Sequence, residues 1–297
     1  MSVPGPAVSV VISTLNRPDA LDRCLTALAA GALRPNEIVI VDQSDDTRSA
    51  DVATRHPSAD MAVAYVRNTG RGLGVSQNAG FARASHDIVA VIDDDCVADA
   101  RWLSTIASTM GCRPELDGVT GRVLPLEPQG DRTFAVSSRI STVRREFAGR
   151  ALPWEVGSGN NFALRRAAFS RAGACDVRLG PGSPAQGGVD MDLFHRLLRA
   201  GSRILYEPDA IVYHERQTRG ERRARRSMYG RGMGTAIALW HRSGDDTARS
   251  VLAAWVALRL RQMRLASARG DWRDIADELT MLASTMTGLV HGWRLPG

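Results

Sequence analysis

Residues 87–95 read DIVAVIDDD, an apolar segment that runs directly into three consecutive aspartates. The apolar part, 87–92, predicts a buried strand, and side-chain alternation places Asp93 and Asp95 on one side with Asp94 on the other. Three adjacent carboxylates repel one another at the end of a buried strand unless a cation lies among them. Hard oxygen ligands at this density favour Mg²⁺ or Mn²⁺, either of which would bridge a diphosphate. The alternative is a solvated acidic turn.

Apolar strands and helices alternate on both sides of this segment. Three further buried strands are predicted over 8–14, 37–42 and 61–66. One helix opens at Pro18, and another is predicted over about 75–84 after a glycine-rich turn. This alternation is typical of right-handed crossovers and a mostly parallel sheet. Ligands bind beyond the carboxyl ends of such strands, so we expect Asn16, Asp42 and Asp93 to face one crevice.

The second half of the chain has a less regular pattern. Strand-like segments at 118–124 and 158–164 precede a glycine- and proline-rich loop at 180–188. A helix is predicted from Asp190 to about Arg199, and two short strands are predicted within 203–213. From about Thr218 onward the pattern is helical. The chain is therefore predicted to be an α/β protein with a helical C-terminal part.

Three further polar residues occupy positions suited to binding or catalysis. Asp42 ends a strand, where it can accept hydrogen bonds from a nucleotide base or ribose, or act as a cap. Asp190 begins a helix, either as its N-cap or as a general base. His214 follows a strand as a structural residue, a phosphate contact or a third metal ligand. A nitrogen ligand would favour Mn²⁺ over Mg²⁺.

The composition excludes several classes of enzyme. The chain has 297 residues, and all 38 of its basic side chains are arginines, against 32 acids. Lysine is required by the phosphate loop of nucleoside triphosphatases, by Schiff-base chemistry and by kinases. The turn at 70–74 reads G-x-G-x-G after the third strand, so it also fails the dinucleotide-binding fingerprint. Any cation that this protein places on a substrate is an arginine or a metal.

Bulk features also set expectations about compartment. The four cysteines are far apart and form no CxxC pair, which argues against structural zinc and a disulfide framework. No apolar run approaches the roughly 20 residues of a membrane span, and the first residues do not read as a signal peptide. We therefore expect a cytoplasmic protein, with contact at the inner face of the membrane as an option.

Six segments, in this order and at this spacing, resemble those of the family 2 glycosyltransferases, which have the GT-A fold. They are VSVVISTLNR (8–17), IVIVDQSDD (38–46), NTGRGLGVSQNAGFARA (68–84), IVAVIDDDCV (88–97), GSGNNFALRRAAF (157–169) and VDMDLFHRLLRAG (189–201), which leads to VYHE (212–215). The resemblance covers roughly 7–216. It implies a Rossmann-like sheet flanked by helices, with a nucleotide-binding half over about 1–100 and an acceptor-binding half over about 101–216. Residues 217–297 would form a helical extension.

The resemblance implies an inverting transfer from a nucleotide-diphosphate sugar to an acceptor hydroxyl, with Mn²⁺ or Mg²⁺ as cofactor. Asp190 would be the base, and Asp93, Asp95 and His214 would surround the metal, with Asp95 favoured as a direct ligand. The expected nucleotide and donor contacts are Thr14, Asn16, Arg17, Asp42, Arg71, Gln77, Asp93 and Asp94. The expected sugar and acceptor contacts are Trp154, Gly159, Asn160 and Asp192.

Two positions depart from the family pattern. Val189 stands where glutamate often precedes the base, which weakens any acceptor contact by that side chain. Gln77 stands where arginine is common, which removes a cation near the diphosphate that Arg71 would replace. Two alternatives stay open. One is transfer to a polyprenyl phosphate; the other is a degenerate domain that binds sugar nucleotides or partners without catalysis, which these two departures favour and the intact acidic triplet disfavours.

The C-terminal part has two further features. Between Arg216 and Arg231 lie seven arginines and one acid, so this run alone carries the chain's net charge of +6. The run suits phosphates or an anionic membrane surface, and the alternative is a solvated helix face. Its sparse aromatic residues disfavour nucleic acid. An apolar helical stripe follows at Trp272, Ile275, Leu279, Leu282, Met286, Leu289 and Trp293. Packing on its own domain is the favoured interpretation of the stripe; a homodimer or peripheral membrane contact is the alternative.

Overall fold

The computed structural model of the chain describes residues 5–56, 61–127 and 130–296. The strands are β1 (Val8–Thr14), β2 (Glu37–Asp42), β3 (Ala62–Arg67), β4 (Ile88–Ile92), β5 (Cys96–Ala98), β6 (Gly118–Pro125), β7 (Arg145–Phe147), β8 (Asn161–Arg165) and β9 (Ile204–His214). The helices are α1 (Pro18–Ala29), α2 (Arg48–Arg55), α3 (Leu73–Arg83), α4 (Trp102–Cys112), α5 (Pro153–Val156), α6 (Arg166–Ala172), α7 (Val189–Arg199), α8 (Arg219–Arg242), α9 (Ala248–Ala268) and α10 (Trp272–Arg294).

The strands form one sheet in the order β3-β2-β1-β4-β8-β6-β9-β5, with β7 paired to β9. The first four strands run parallel to one another, through the pairs β3–β2, β2–β1 and β1–β4. Strand β8 is antiparallel to both of its neighbours, β4 and β6. β1, β2 and β4 are nearly continuous apolar runs because helices cover both faces of a parallel sheet. The core between this sheet and its helices includes Leu21 and Leu25 of α1 and Trp102 of α4. The predicted α/β class with a mostly parallel sheet is confirmed.

Residues 203–213 differ from the prediction of two short strands. β9 is one strand that ends at His214, and its pairing with β6 shifts register between Gly121 and Arg122. A Cβ at Gly121 would overlap the carbonyl oxygen of Ala210, so the shift depends on a glycine there. Pro208 lies in the shifted stretch, where proline is tolerated, and it makes the strand look interrupted in the sequence.

The start of β8 also differs from the sequence prediction. The strand was predicted from 158 but begins at Asn161, because 158–160 form a turn closed by a hydrogen bond from Asn161 N to Ser158 O. The turn places Asn160 immediately before the first ladder residue.

The chain divides into two compact units, which we describe separately. The first comprises the described residues of Met1–Arg71, Val75–Cys175 and Leu193–Arg216. The second comprises those of Gly72–Gly74, Asp176–Asp192 and Gln217–Gly297. The second unit therefore combines the predicted C-terminal extension with the glycine- and proline-rich loop.

Within the second unit, α8 and α10 approach closely through glycines spaced four residues apart. Small residues at this spacing leave room for backbone against backbone. The contacting pairs are Gly230 with Met281, Gly234 with Thr285, Gly288 with Arg231 and Gly292 with Thr235. A capping box of Thr218 and Glu221 starts α8. None of the helices in the described ranges has the length and apolarity needed to cross a membrane.

Candidate active site

The carboxyl ends of β1, β2 and β4 lie side by side in the first unit. Thr14, the last residue of β1, is the Cα partner of Asp42, the last residue of β2. The Oγ1 of Thr14 donates a 2.7 Å hydrogen bond to Oδ2 of Asp94, just past β4. β8 pairs with β4 so that Asn161 lies opposite Ile92, which brings the preceding turn to the same edge. One edge of the sheet thus holds the acidic segment and its polar neighbours.

Arg17 joins two of the three consecutive aspartates. Its Nη2 lies 2.6 Å from Oδ1 of Asp94, and its Nη1 donates to Oδ2 of Asp95 at 2.7 Å. Burial raises the pKa of Asp94, and the charge of Asp95 raises it further, whereas Arg17 and Thr14 lower it. The guanidinium supplies positive charge that adjacent carboxylates need. Because about half of the Arg17 side chain is exposed, it can also meet an anionic ligand.

Asp95, Cys96 and His214 form a buried group of potential metal ligands in the described part of the chain. One ligand atom from each lies within 4.8 Å of the others. The antiparallel pairing of β5 with β9 places Cys96 opposite His214, and His214 Nε2 lies 3.5 Å from Asp95 Oδ1. Nδ1 of His214 lies 2.8 Å from the carbonyl oxygen of Glu215. A carbonyl oxygen only accepts hydrogen bonds, so Nδ1 of His214 carries a proton, and Nε2 is the ring nitrogen that faces Asp95.

This donor set fits a divalent cation of the Mn²⁺ type, which accepts both carboxylate and imidazole ligands. Burial raises the pKa of the Cys96 thiol, and the carboxylates of Asp95 and Asp93 raise it further, so the thiol is the weakest of the three candidates. Sequence reasoning missed Cys96, because only the pairing of two distant strands brings it to His214. Asp93, which was predicted with Asp95, is half-buried and is not among these three residues.

The side chain of Asn160 is buried, and neither its amide oxygen nor its amide nitrogen has a hydrogen-bond partner within the described ranges. The next residue behaves differently: Asn161 accepts from Trp102 Nε1 at 2.8 Å and donates to two backbone carbonyls. Buried amides are rarely left unpaired, so Asn160 is a candidate for ligand binding. Gly159 precedes it in the same turn, and Trp154 is half-buried in α5.

Asp42 and Asn16 are both held by protein groups. Asp42 is fully buried and accepts 2.7 Å hydrogen bonds from the N–H of Ser44 and the hydroxyl of Tyr65. Asn16 has a left-handed φ of 56° and exchanges two hydrogen bonds with Asp45. Carboxylate and amide oxygens retain further acceptor capacity, so the predicted nucleotide contacts stay predictions.

Arg71 and Gln77 have different surroundings. Gln77 stands where the family commonly has an arginine, and Arg71 is the predicted replacement for that charge. Arg71 is half-exposed, donates to the carbonyl oxygen of Gln43 and pairs with Asp45. Gln77 is buried, and its Oε1 accepts a hydrogen bond from the thiol of Cys175 at 3.5 Å. Arg71 is therefore the more accessible of the two to a phosphate, although it already carries a carboxylate partner.

Asp190 and Asp192 lie in the second unit, in the first turn of α7. Asp190 is half-buried, and its Oδ1 accepts from the N–H of Met191 at 3.0 Å. Asp192 is buried and accepts from Trp240 Nε1 at 2.8 Å, which ties α7 to α8. Of the two predicted site residues, Asp190 has the carboxylate better placed to meet a ligand.

At least three of the seven arginines between Arg216 and Arg231 make contacts within the fold that involve acids or backbone carbonyls. Arg216 donates to the carbonyl oxygens of Leu126 and Thr133, each at 2.7 Å, within the first unit. In the second unit, Arg222 donates to Asp277 at 2.7 Å and also pairs with Asp274. Arg226 lies 3.6 Å from Glu278, which also binds the buried Arg259 at 3.0 Å. The run is therefore less available to phosphates than its sequence suggests.

Comparison with known proteins gives consistent matches. The family model for glycosyl transferase family 2 matches residues 9–173. The pre-mycofactocin glycosyltransferase of Mycobacterium tuberculosis is 29% identical over 85% of the chain, and the chain spans about half (53%) of that relative's length. The uncharacterized glycosyltransferase Rv0539 of the same species is 30% identical over 68% of the chain and 83% of its own length. The glucosyl-dolichyl phosphate glucuronosyltransferase of Haloferax volcanii is 25% identical over 70% of the chain and 69% of its length.

Two solved structures share the fold. The mannosyltransferase PcManGT from Pyrobaculum calidifontis, in complex with GDP-Man and Mn²⁺, aligns with a TM-score of 0.64 at 18% identity. The alignment covers 97% of this chain and 88% of that one. GalNAc-T7 with UDP, GalNAc and Mn²⁺ aligns with a TM-score of 0.60 at 16% identity, over 80% of this chain and 49% of that one. At these identities the likeness establishes the GT-A type of fold.

Proposed function

Because the chain belongs to glycosyl transferase family 2, we propose that it transfers a sugar from a nucleotide-diphosphate sugar to an acceptor hydroxyl with inversion at the anomeric carbon. The observation that carries this proposal is the group formed by Thr14, Arg17, Asp94, Asp95 and His214 at the carboxyl ends of the strands. The structures of similar fold that hold GDP-Man or UDP support a nucleotide-bearing donor.

We assign the divalent cation to Asp95 and His214, with Asp93 as a further predicted carboxylate. When bound, the cation would neutralise the charge that develops on the departing nucleoside diphosphate. Arg17 contributes a second positive charge from the chain itself, already oriented by its contacts with Asp94 and Asp95. In a protein without lysine, a metal and an arginine together would provide the positive charge that stabilises the departing nucleoside diphosphate.

We assign the base to Asp190. An inverting transfer passes through an oxocarbenium-like transition state and needs one carboxylate to take the proton of the attacking hydroxyl. Asp192 suits this role less well because it is buried and hydrogen-bonded to Trp240. The buried amide of Asn160 offers one acceptor and two donors, which match the hydroxyls of a sugar.

The substitution Asp190→Asn tests the base. It keeps the size of the side chain but removes the proton acceptor, so transfer should fall by about 10²–10⁴-fold. Calorimetric affinity for the donor in the presence of Mn²⁺ should change less than about twofold, since a base acts on the acceptor. Asp246→Asn, at an exposed position in the same unit, is the matched control. Unchanged turnover in Asp190→Asn would reject the assignment.

A polyprenyl phosphate is the second candidate acceptor. The name of the glucosyl-dolichyl phosphate glucuronosyltransferase from Haloferax volcanii supports a lipid-linked acceptor, although that dolichyl phosphate already carries a glucosyl group. A phosphate acceptor is already ionised at neutral pH, so Asp190→Asn should then have little effect on its rate. Assaying the variant against a hydroxyl acceptor and a polyprenyl phosphate in parallel distinguishes the two cases. A large loss with both acceptors would contradict transfer to the phosphate without a base.

A further inference from the structure

The outward side of α10 carries an unbroken stripe of exposed apolar residues. The most exposed are Trp272 (79%), Met286 (62%) and Trp293 (56%). Spacings of four and three residues place the stripe's members on one face of the helix. They are Trp272, Ala276, Leu279, Ala283, Met286, Val290 and Trp293. We name these seven residues the α10 stripe; its length is about 31 Å at 1.5 Å per residue.

The α10 stripe is not needed to hold the second unit together. The opposite face of the same helix packs on α8 and α9 through Met281, Thr285 and Gly288. The sequence favoured packing of the large apolar residues on their own domain, but four of those seven (Trp272, Leu279, Met286 and Trp293) are exposed. The inward face of α10 is instead formed largely by glycine, threonine and paired acids. Large apolar side chains in the sequence therefore do not mark the packed face of this helix.

The charges along α9 and α10 are separated between the inside and the outside of the bundle. Every acid between Ala248 and Arg294 faces a protein partner: Asp271 caps α10, Asp274 and Asp277 bind Arg222, and Glu278 binds Arg259. None of these four acids is exposed. The exposed charged residues of this stretch are all arginines: Arg249, Arg261, Arg264, Arg269, Arg273 and Arg294.

We propose that the α10 stripe and the arginines around it dock on the surface of an anionic lipid bilayer. Tryptophan at both ends of an apolar helix face, with arginine on its borders, is the pattern of a helix that lies in the headgroup region. Arginines close to an anionic surface strengthen the attachment electrostatically. A second copy that paired through α10 fits less well, because it would bring Arg273 and Arg294 against further arginines, and α9 and α10 carry no exposed acid to pair with them.

Vesicle flotation of the full chain tests the docking surface. The wild type should bind vesicles of phosphatidylcholine with about 30 mol% phosphatidylglycerol at least about tenfold more tightly than phosphatidylcholine alone, and salt should weaken the binding. Leu279→Ser/Met286→Ser should weaken it by about tenfold or more, because the apolar area is lost. Trp272→Ser/Trp293→Ser is a second, independent variant. The matched control is Ile140→Ser/Val143→Ser, which removes apolar side chains of similar exposure (67% and 70%) from the first unit.

Three results would overturn the proposal: no binding of the wild type to the anionic vesicles, equal binding by the stripe variants and the control, or a dimer in solution that the stripe variants abolish. The last would show that a second copy covers the stripe. Vesicle binding is measured without donor or acceptor, so its outcome is independent of the proposed transfer reaction.

Discussion

At the scale of single residues, the adjacent side chains of Asn160 and Asn161 differ in role: Asn161 is hydrogen-bonded within the fold, and Asn160 is a candidate for ligand binding. Both are buried, but Asn161 fills its hydrogen-bonding capacity with Trp102 and two backbone carbonyls, whereas Asn160 has no such partner in the described part of the chain. An unpaired buried amide costs stability, and that cost is recovered only when a ligand supplies the partner. Opposite effects of substitution are therefore expected at the two positions.

Asn160→Ala should leave the unfolding free energy unchanged or raise it, because the variant removes an unpaired buried amide. The same variant should lower kcat/KM by about tenfold to a hundredfold if the amide binds the sugar or the acceptor. Asn161→Ala should lose about 1–3 kcal/mol of stability, because it leaves the Trp102 N–H and two carbonyls without partners. Denaturant unfolding and steady-state kinetics measure both. A stability loss at Asn160 as large as that at Asn161 would contradict a ligand role.

Sequence reasoning found residues whose chemistry follows from their place at a strand end. Asp94, Asp95 and His214 were singled out because of their place at the ends of apolar strands. In the structure Arg17 joins Asp94 to Asp95, and Asp95 lies beside His214. Cys96 and the hydrogen bond between Thr14 and Asp94 were missed. Both depend on how distant strands pair in register, and no local pattern encodes that pairing.

At the scale of elements, glycines decide how closely α8 and α10 approach. Gly234→Ala would place a Cβ against the carbonyl oxygen of Thr285, so we expect a loss of about 1–3 kcal/mol from overpacking. Gly220, in the first turn of α8, has nothing within 4 Å of an added Cβ. Gly220→Ala should therefore gain about 0.5–1 kcal/mol from helix propensity. Thermal unfolding of the two variants checks this contrast, and equal losses would contradict the close packing of the helices.

The start of β2 carries a buried carboxylate whose charge stabilises the sheet. Burial by itself raises the pKa of Glu37, but hydrogen bonds from Ser85 and Ser9 and the nearby Arg83 outweigh it and lower the pKa below its ordinary value. A lowered folded-state pKa contributes stability above the unfolded-state value of about 4.3, and the contribution is lost as the pH falls through the folded-state pKa.

Glu37→Gln should therefore cost about 1–2 kcal/mol at pH 7, and the difference from the wild type should shrink below about pH 4. Urea unfolding measured across this pH range provides the check. A difference that does not depend on pH would mean that the charge of Glu37 is unimportant and that only its shape matters.

Helices and strands were predictable from the sequence where burial gives their apolar residues a clear, regular pattern. β1, β2 and β4 are continuous apolar runs between helices, and the sequence placed them within one residue. α4 was not predicted, because serine and threonine form its outer face and leave no charged stripe opposite Trp102 and Ile106. β9 was predicted as two strands, because Pro208, which lies where the register shifts, is typical of a loop between strands.

At the scale of the whole molecule, the charged residues of the two units have different surroundings. Arg17 balances the carboxylates of Asp94 and Asp95 at the strand ends of the first unit, and the ring nitrogen Nε2 of His214 lies beside Asp95. In the second unit, Arg222 and Arg226 of the arginine run pair with internal acids, while the outer arginines of α9 and α10 are exposed. Sequence alone located the excess charge between Arg216 and Arg231, but it could not show which of those arginines the fold uses.

We propose that this chain binds a nucleotide sugar through a divalent metal held by Asp95 and His214. Calorimetric titration of a panel of nucleotide-diphosphate sugars, with and without Mn²⁺, measures this most directly, in the wild type and in Asp95→Asn, with His56→Ala as a control away from the cluster. We predict binding of at least one donor that strengthens at least about tenfold with Mn²⁺ in the wild type and the control, and loses that dependence in Asp95→Asn. Absence of metal-dependent binding across the panel, or an equal response in Asp95→Asn, would contradict donor binding through a metal at Asp95 and His214.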